Sequence, residues 1–149
     1  MSVDALYQEI ILDHYKHPRG KGLLGESLAE SFQVNPTCGD EVTVQVAGDP
    51  SDVLIGYEGQ GCSISQASAS VMSEMLNGTP VATIKEKRDA FIELMHAKGL
   101  GEPDEEVLED GVAFAGVAKY PARVKCALLP WMALQDAAIK AGFITEEKS

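Results

Sequence analysis

Apolar residues recur three to four positions apart over residues 3 to 16, at Leu6, Ile10, Ile11 and then His14 or Tyr15, and Pro18 and Gly20 close the run. That period puts them on one helical face and predicts an amphipathic helix. The period then falls to two. Residues 28 to 35, 42 to 47 and 53 to 57 alternate apolar with polar, most plainly at Val42, Val44 and Val46, which predicts three strands. Gly48-Asp49-Pro50-Ser51-Asp52 is a short run of turn formers between the second and third, so a hairpin joins them antiparallel.

Helical spacing returns after Cys62. A Ser- and Ala-rich stretch runs through Met72 and Leu76 to Asn77-Gly78, and a second pattern covers Val81 to Ala97, giving two helices. The hydroxyls Ser63, Ser65, Ser68 and Ser70 read as small residues that let helices pack closely. Gly99 to Asp110 is acidic and contains Gly101 and Pro103; it fits either a flexible excursion or a short acidic helix over Glu105 to Leu108. Arg123 to Ile139 presents a long apolar surface with Gly142 beyond it, which predicts a terminal helix kinked near Pro130. One helix, three strands and then more helices is the order of an α+β fold: a three-stranded antiparallel sheet with helices packed on one face. Neither an internal repeat nor a linker interrupts it, so residues 1–149 read as one domain.

Composition narrows the function. Hydrophobic residues at 45% and charged residues at 23% are the balance of a globular chain. Asp and Glu outnumber Lys and Arg by 23 to 12, for a net charge of -11, which repels phosphate backbones and anionic membranes and argues against nucleic acid as a partner. No apolar stretch approaches the roughly 20 residues a membrane helix needs, and the N-terminus lacks a basic segment followed by an apolar run. A cytoplasmic location is expected. The three cysteines are an odd number, better suited in a reducing compartment to metal or redox chemistry than to disulfides.

Cys38 lies in Asn35-Pro36-Thr37-Cys38-Gly39-Asp40, a predicted tight loop between two strands that exposes the thiol and the carboxylate together. Cys62 follows Gly59-Gln60-Gly61 and opens a helix, where free backbone N–H groups and the helix dipole favour a thiolate. Cys126 sits early on the last helix between Arg123 and Lys125 on one side and an apolar run on the other, and the two cations favour its thiolate too. Three thiolates and one carboxylate form a donor set that tetrahedral zinc accepts. The same residues also fit three small buried cysteines with Asp40 shaping a turn, because one C-x-D pair and two distant cysteines lack the double C-x-x-C of a zinc ribbon.

Three stretches carry a resemblance that decides between these readings. Asn35-Pro-Thr-Cys-Gly-Asp40, Gly59-Gln-Gly-Cys-Ser-Ile-Ser-Gln-Ala-Ser-Ala-Ser70 and Arg123-Val-Lys-Cys-Ala-Leu-Leu-Pro-Trp131 resemble the SufU-type iron-sulfur cluster assembly proteins, and Asp13-His-Tyr-Lys-His-Pro-Arg19 resembles that family's opening helix. The wider family includes the IscU scaffolds and the N-terminal part of NifU. Those typically place a histidine just before the last cysteine, where this chain has Lys125, and the longer segment Gly99 to Tyr120 sets the SufU type apart from IscU scaffolds.

The resemblance implies that Cys38, Asp40, Cys62 and Cys126 bind zinc. It further implies that a pyridoxal-phosphate cysteine desulfurase, SufS-like, delivers persulfide sulfur to Cys38, with downstream assembly proteins or apoproteins as acceptors. Arg123 is a secondary site residue, stabilising thiolates or meeting the desulfurase, against the simpler reading of a solvated arginine. As an enzyme the chain is at most a zinc-dependent sulfurtransferase. The alternative is a scaffold carrying a transient iron-sulfur cluster on the same ligands, and a third reading is a purely structural zinc module. His14 and His17, three apart at a helix end, are expected to be surface groups outside the site.

Overall fold

The computed structural model describes residues 3–100 and 103–145. Helix α1 (Val3–Lys16) leads into strands β1 (Ala29–Asn35), β2 (Asp40–Asp49) and β3 (Asp52–Gln60). These form one antiparallel sheet in the order β1-β2-β3. Two residues, Pro50 and Ser51, connect β2 to β3, and Ser51 N–H donates to Asp49 Oδ1 at 2.8 Å. Both strands run further than the alternation alone suggested, since β2 begins two residues before Val42 and β3 continues to Gln60.

Strand parity sorts the side chains. Asp40, Val42, Val44 and Val46 of β2 face inward with Ser31 and Asn35 of β1 and Val53, Ile55 and Tyr57 of β3, whereas Phe32, Val34 and Leu54 point outward and are exposed. Helices α2 (Ser63–Leu76) and α5 (Pro121–Lys140) cover the inner face, and α3 (Val81–His96) packs on α5. Helix α5 lies against β1 and β2, while α2 lies against β3, α5 and α1. Small residues at Ala67, Ser68, Ala69 and Ser70, all buried, allow that close approach. The core centres on Trp131, stacked on Phe91 with centroids 4.4 Å apart, and Phe91 meets Phe114 edge-on at 5.6 Å.

The acidic segment resolves in favour of a short helix, α4 (Glu105–Leu108), with Asp104 accepting the N–H of Glu106 at 3.0 Å as its cap. Two 3-10 turns follow, Glu109–Ala115 and Val117–Lys119. They bury Val112, Phe114 and Val117, so apolar residues beyond the acidic cluster anchor the segment to the core. Pro121 occupies the first turn of α5, where its missing N–H costs nothing. The helix continues through Pro130, which is buried and has no N–H to give the carbonyl of Cys126 four residues earlier. Among the described residues no helix is long and apolar enough to cross a membrane.

Candidate metal centre

One end of the sheet meets the start of two helices. Cys38 rides the four-residue β1–β2 loop, where its N–H donates to Asn35 O at 3.2 Å and Gly39 takes a left-handed φ of 69° that favours glycine. The Cys38 thiol is exposed, as the loop chemistry predicts. Asp40 departs from expectation: it is fully buried. It belongs to β2 and not to the loop, and counting back by twos from Val46, Val44 and Val42 puts its side chain on the helix-covered face.

A buried carboxylate needs partners, and α2 supplies one. Cys62 is the N-cap of α2 but its own side chain makes no capping bond; instead its backbone N–H donates to Asp40 Oδ1 at 2.7 Å. An anion at a helix N-terminus is favoured by the free N–H groups and the dipole. The Cys62 sulfur lies 3.6 Å from Asp40 Oδ2 and 3.9 Å from Ser65 Oγ. Between β3 and α2, Gly61 has φ 141°, and a Cβ there would stand 2.2 Å from Asp40 Oδ1.

Cys126, in the second turn of α5, closes the group. It is 2% exposed, its sulfur lies 3.2 Å from that of Cys38, and Asn35 Nδ2 donates to it at 3.6 Å. Burial pushes the Cys126 thiol up, and hydrogen bonds with Asp40, Cys38 and Cys62 push it the same way. The expected thiolate is therefore not favoured in the metal-free chain. Arg123 and Lys125 are both exposed, so water screens their charge, and desolvation of the sulfur wins. A bound cation reverses that balance by displacing the proton.

Ligand atoms of Cys38, Asp40 and Cys126 all lie within 4.8 Å of one another, and Cys62 joins through Asp40. Tetrahedral zinc with Zn–S near 2.3 Å separates its ligand atoms by roughly 3.8 Å, close to the spacings of this group. Cys38, Asp40 and Cys126 could thus hold zinc, and Cys62, whose sulfur lies outside that set beside Asp40 Oδ2, would have to turn toward it to complete three sulfurs and one carboxylate oxygen. Arg123, expected as a secondary site residue, is exposed and lies three residues before Cys126 on the same helix. Its guanidinium lies over the Tyr120 ring at 4.9 Å, lining a groove with Tyr7, Ile11 and Ile64.

Asn35 is the participant that motif reading left as a turn residue. Its register opposite Asp40 aims it inward, and that signal lay in the strand alternation. His14 corrects a second expectation. It is not a surface group but 1% exposed, with Nδ1 2.7 Å from Ser70 Oγ and Nε2 2.7 Å from Asp110 Oδ2. Glu74 completes a second cluster of possible ligands with His14 and Asp110, yet Arg19 Nε already pairs with Glu74 at 3.1 Å. That arrangement is an ion-pair and hydrogen-bond network tying α1 to α2 and the 3-10 segment. His17 is exposed, as expected.

Comparison with known proteins gives a consistent picture. The family described as NifU-like N terminal domain matches residues 6–127. The zinc-dependent sulfurtransferase SufU of Bacillus subtilis (strain 168) is 42% identical over 142 residues, covering 93% of each chain. The iron-sulfur cluster assembly scaffold protein IscU of Streptococcus pyogenes serotype M1 is 37% identical over 134 residues, covering 89% of this chain and 82% of that one. Among solved structures, the N-terminal part of a nitrogen-fixing NifU-like protein from Brucella abortus superposes with a TM-score of 0.82 at 28% identity, covering 94% of this chain and 96% of the other.

Proposed function

We infer the function from the fact that this chain belongs to the NifU-like N-terminal domain family. It acts, as one domain, as a zinc-dependent sulfur acceptor that takes persulfide sulfur from a pyridoxal-phosphate cysteine desulfurase for iron-sulfur cluster assembly. Cys38, Asp40, Cys62 and Cys126 hold the zinc. When bound, the ion keeps the thiols deprotonated and shields them from oxidation.

The observation that carries this reading is the contrast within one cluster. Cys38 is exposed on a loop, whereas Asp40 and Cys126 are buried on a strand and a helix. One ligand is thus free to leave and meet a partner while the others stay fixed by packing. The Cys38 thiolate attacks the outer sulfur of the desulfurase persulfide; that S–S bond breaks, and its electron pair leaves on the desulfurase cysteine as a thiolate. Similarity to a named sulfurtransferase over nearly the whole chain supports transfer over simple metal storage. Lys125, where the scaffolds typically carry a histidine, points into solvent and offers the cluster no additional ligand.

Sulfide release by a cysteine desulfurase, supplied with cysteine and reductant, tests the proposal. Zinc-loaded wild type should stimulate release strongly and Cys38→Ala should not. No stimulation by wild type, together with iron-dependent visible absorbance on the chain, would instead establish the scaffold role.

A further inference from the structure

The 3.2 Å approach of the Cys38 and Cys126 sulfurs joins the β1–β2 loop to α5 across 88 positions of sequence. Cys62 is placed differently, its sulfur meeting Asp40 Oδ2 and Ser65 Oγ. A nucleophile must come within about 3–3.5 Å of its target to react efficiently. Cys126 is the thiol that stands at this range from Cys38.

The geometry points to Cys126 as a resolving thiol, a catalytic residue that discharges a persulfide on Cys38 and frees its outer sulfur as hydrosulfide. This rests on Cys38 being the sulfur acceptor proposed above. Cys126 Sγ attacks Cys38 Sγ, a disulfide bond forms between them, and the bond from Cys38 Sγ to the outer sulfur breaks. The outer sulfur leaves with the bonding pair as hydrosulfide; Cys126, held deprotonated as a ligand, attacks as the thiolate, so no proton has to leave it in this step. The outer sulfur is reduced by two electrons and the two cysteine sulfurs are together oxidised by two. A dithiol reductant resets the pair.

Exposure suits the two roles. Attack in line expels the outer sulfur on the side away from Cys126, and the exposed Cys38 offers it solvent there. At 2% exposure Cys126 is shielded from external thiols and persulfides, so its partner is the neighbouring cysteine. The Asn35 amide at 3.6 Å and the Ala122 carbonyl at 3.5 Å hold its sulfur in place. Both sulfurs are proposed metal ligands, so the step belongs to the interval after Cys38 has left the ion.

To test this, the zinc-loaded full-length chain is charged by a desulfurase with cysteine and no added reductant, then read by intact and peptide mass spectrometry alongside a hydrosulfide assay. Wild type should end as the Cys38–Cys126 disulfide with about one hydrosulfide per chain, and Cys126→Ser should keep the added sulfur on Cys38 and release about tenfold less. Cys62→Ser, which also removes a proposed ligand, should still form the disulfide, separating resolution from metal loss. A wild-type chain that holds a stable Cys38 persulfide without the disulfide overturns the resolving role and leaves the acceptor reading standing. Failure of wild type and of folded Cys126→Ser alike to gain sulfur at Cys38 overturns both. If neither Cys126→Ser nor Cys126→Ala folds, the wild-type mass alone decides.

Discussion

The carboxylate of Asp40 accepts the backbone N–H of Cys62 at 2.7 Å, so the first residue of β2 caps α2 from outside the helix. This bond couples the sheet to the helix start at the place where the cysteines gather. Its geometry depends on the residue between them having no side chain.

Gly61→Ala is the direct probe. The added Cβ would sit 2.2 Å from Asp40 Oδ1 and 2.7 Å from Asp40 Cα, on a backbone with φ 141°. Asp40 must move or the loop must unwind, at a cost of about 1–3 kcal/mol. Urea denaturation should show that loss, and competition with a chromophoric chelator should show weaker zinc binding. An unchanged zinc affinity would mean that Asp40 is free to relocate without consequence.

Ser68 links α2 to α5, donating to Ala127 O at 2.5 Å and accepting from Trp131 Nε1 at 3.1 Å. Ser68→Ala strands a buried indole N–H and weakens the satisfaction of the Ala127 carbonyl, which costs about 1–3 kcal/mol. Trp131 is the sole tryptophan, so its fluorescence follows both the local change and the unfolding midpoint.

His14 and His17 should separate cleanly in stability measurements. His14→Ala removes the bonds to Ser70 and Asp110 and leaves a cavity under α1, for a loss of about 3 kcal/mol. His17→Ala, on an exposed side chain, should stay within about 0.5 kcal/mol of wild type. Equal effects would contradict the buried network.

Alkaline unfolding should carry a signature of Tyr57. Burial pushes its hydroxyl from 10.0 up to about 12, and it donates to Arg19 O at 3.1 Å. Because the folded value lies above the unfolded one, the contribution is complete below pH 10 and is lost as pH rises toward 12, by at most about 2 kcal/mol. Denaturation midpoints across that window should fall more steeply for wild type than for Tyr57→Phe. Parallel slopes would rule out a buried, protonated Tyr57.

Local periodicity was enough to read most of the architecture. Val42, Val44 and Val46 declare a strand and its inner face, and Pro50-Ser51 with its neighbours declares the hairpin, because these signals act between residues a few positions apart. Leu6 to Tyr15 and Arg123 to Ile139 declare helices in the same way. The segment from Gly99 to Tyr120 was ambiguous because its acidic half speaks for solvent, while the burial of Phe114 against Phe91 depends on a helix elsewhere in the chain.

By itself the sequence determined which residue types are available and which face of each element is apolar: three thiols, one carboxylate two residues after the first, and a net charge of -11. Tertiary structure alone decided that Cys38 and Cys126 touch, that Asp40 and His14 lie inside, and that burial raises the Cys126 thiol instead of neighbouring cations lowering it. The physical reason is that contact across 88 positions and the loss of solvent around a charge are products of how whole elements pack, and no local pattern encodes them.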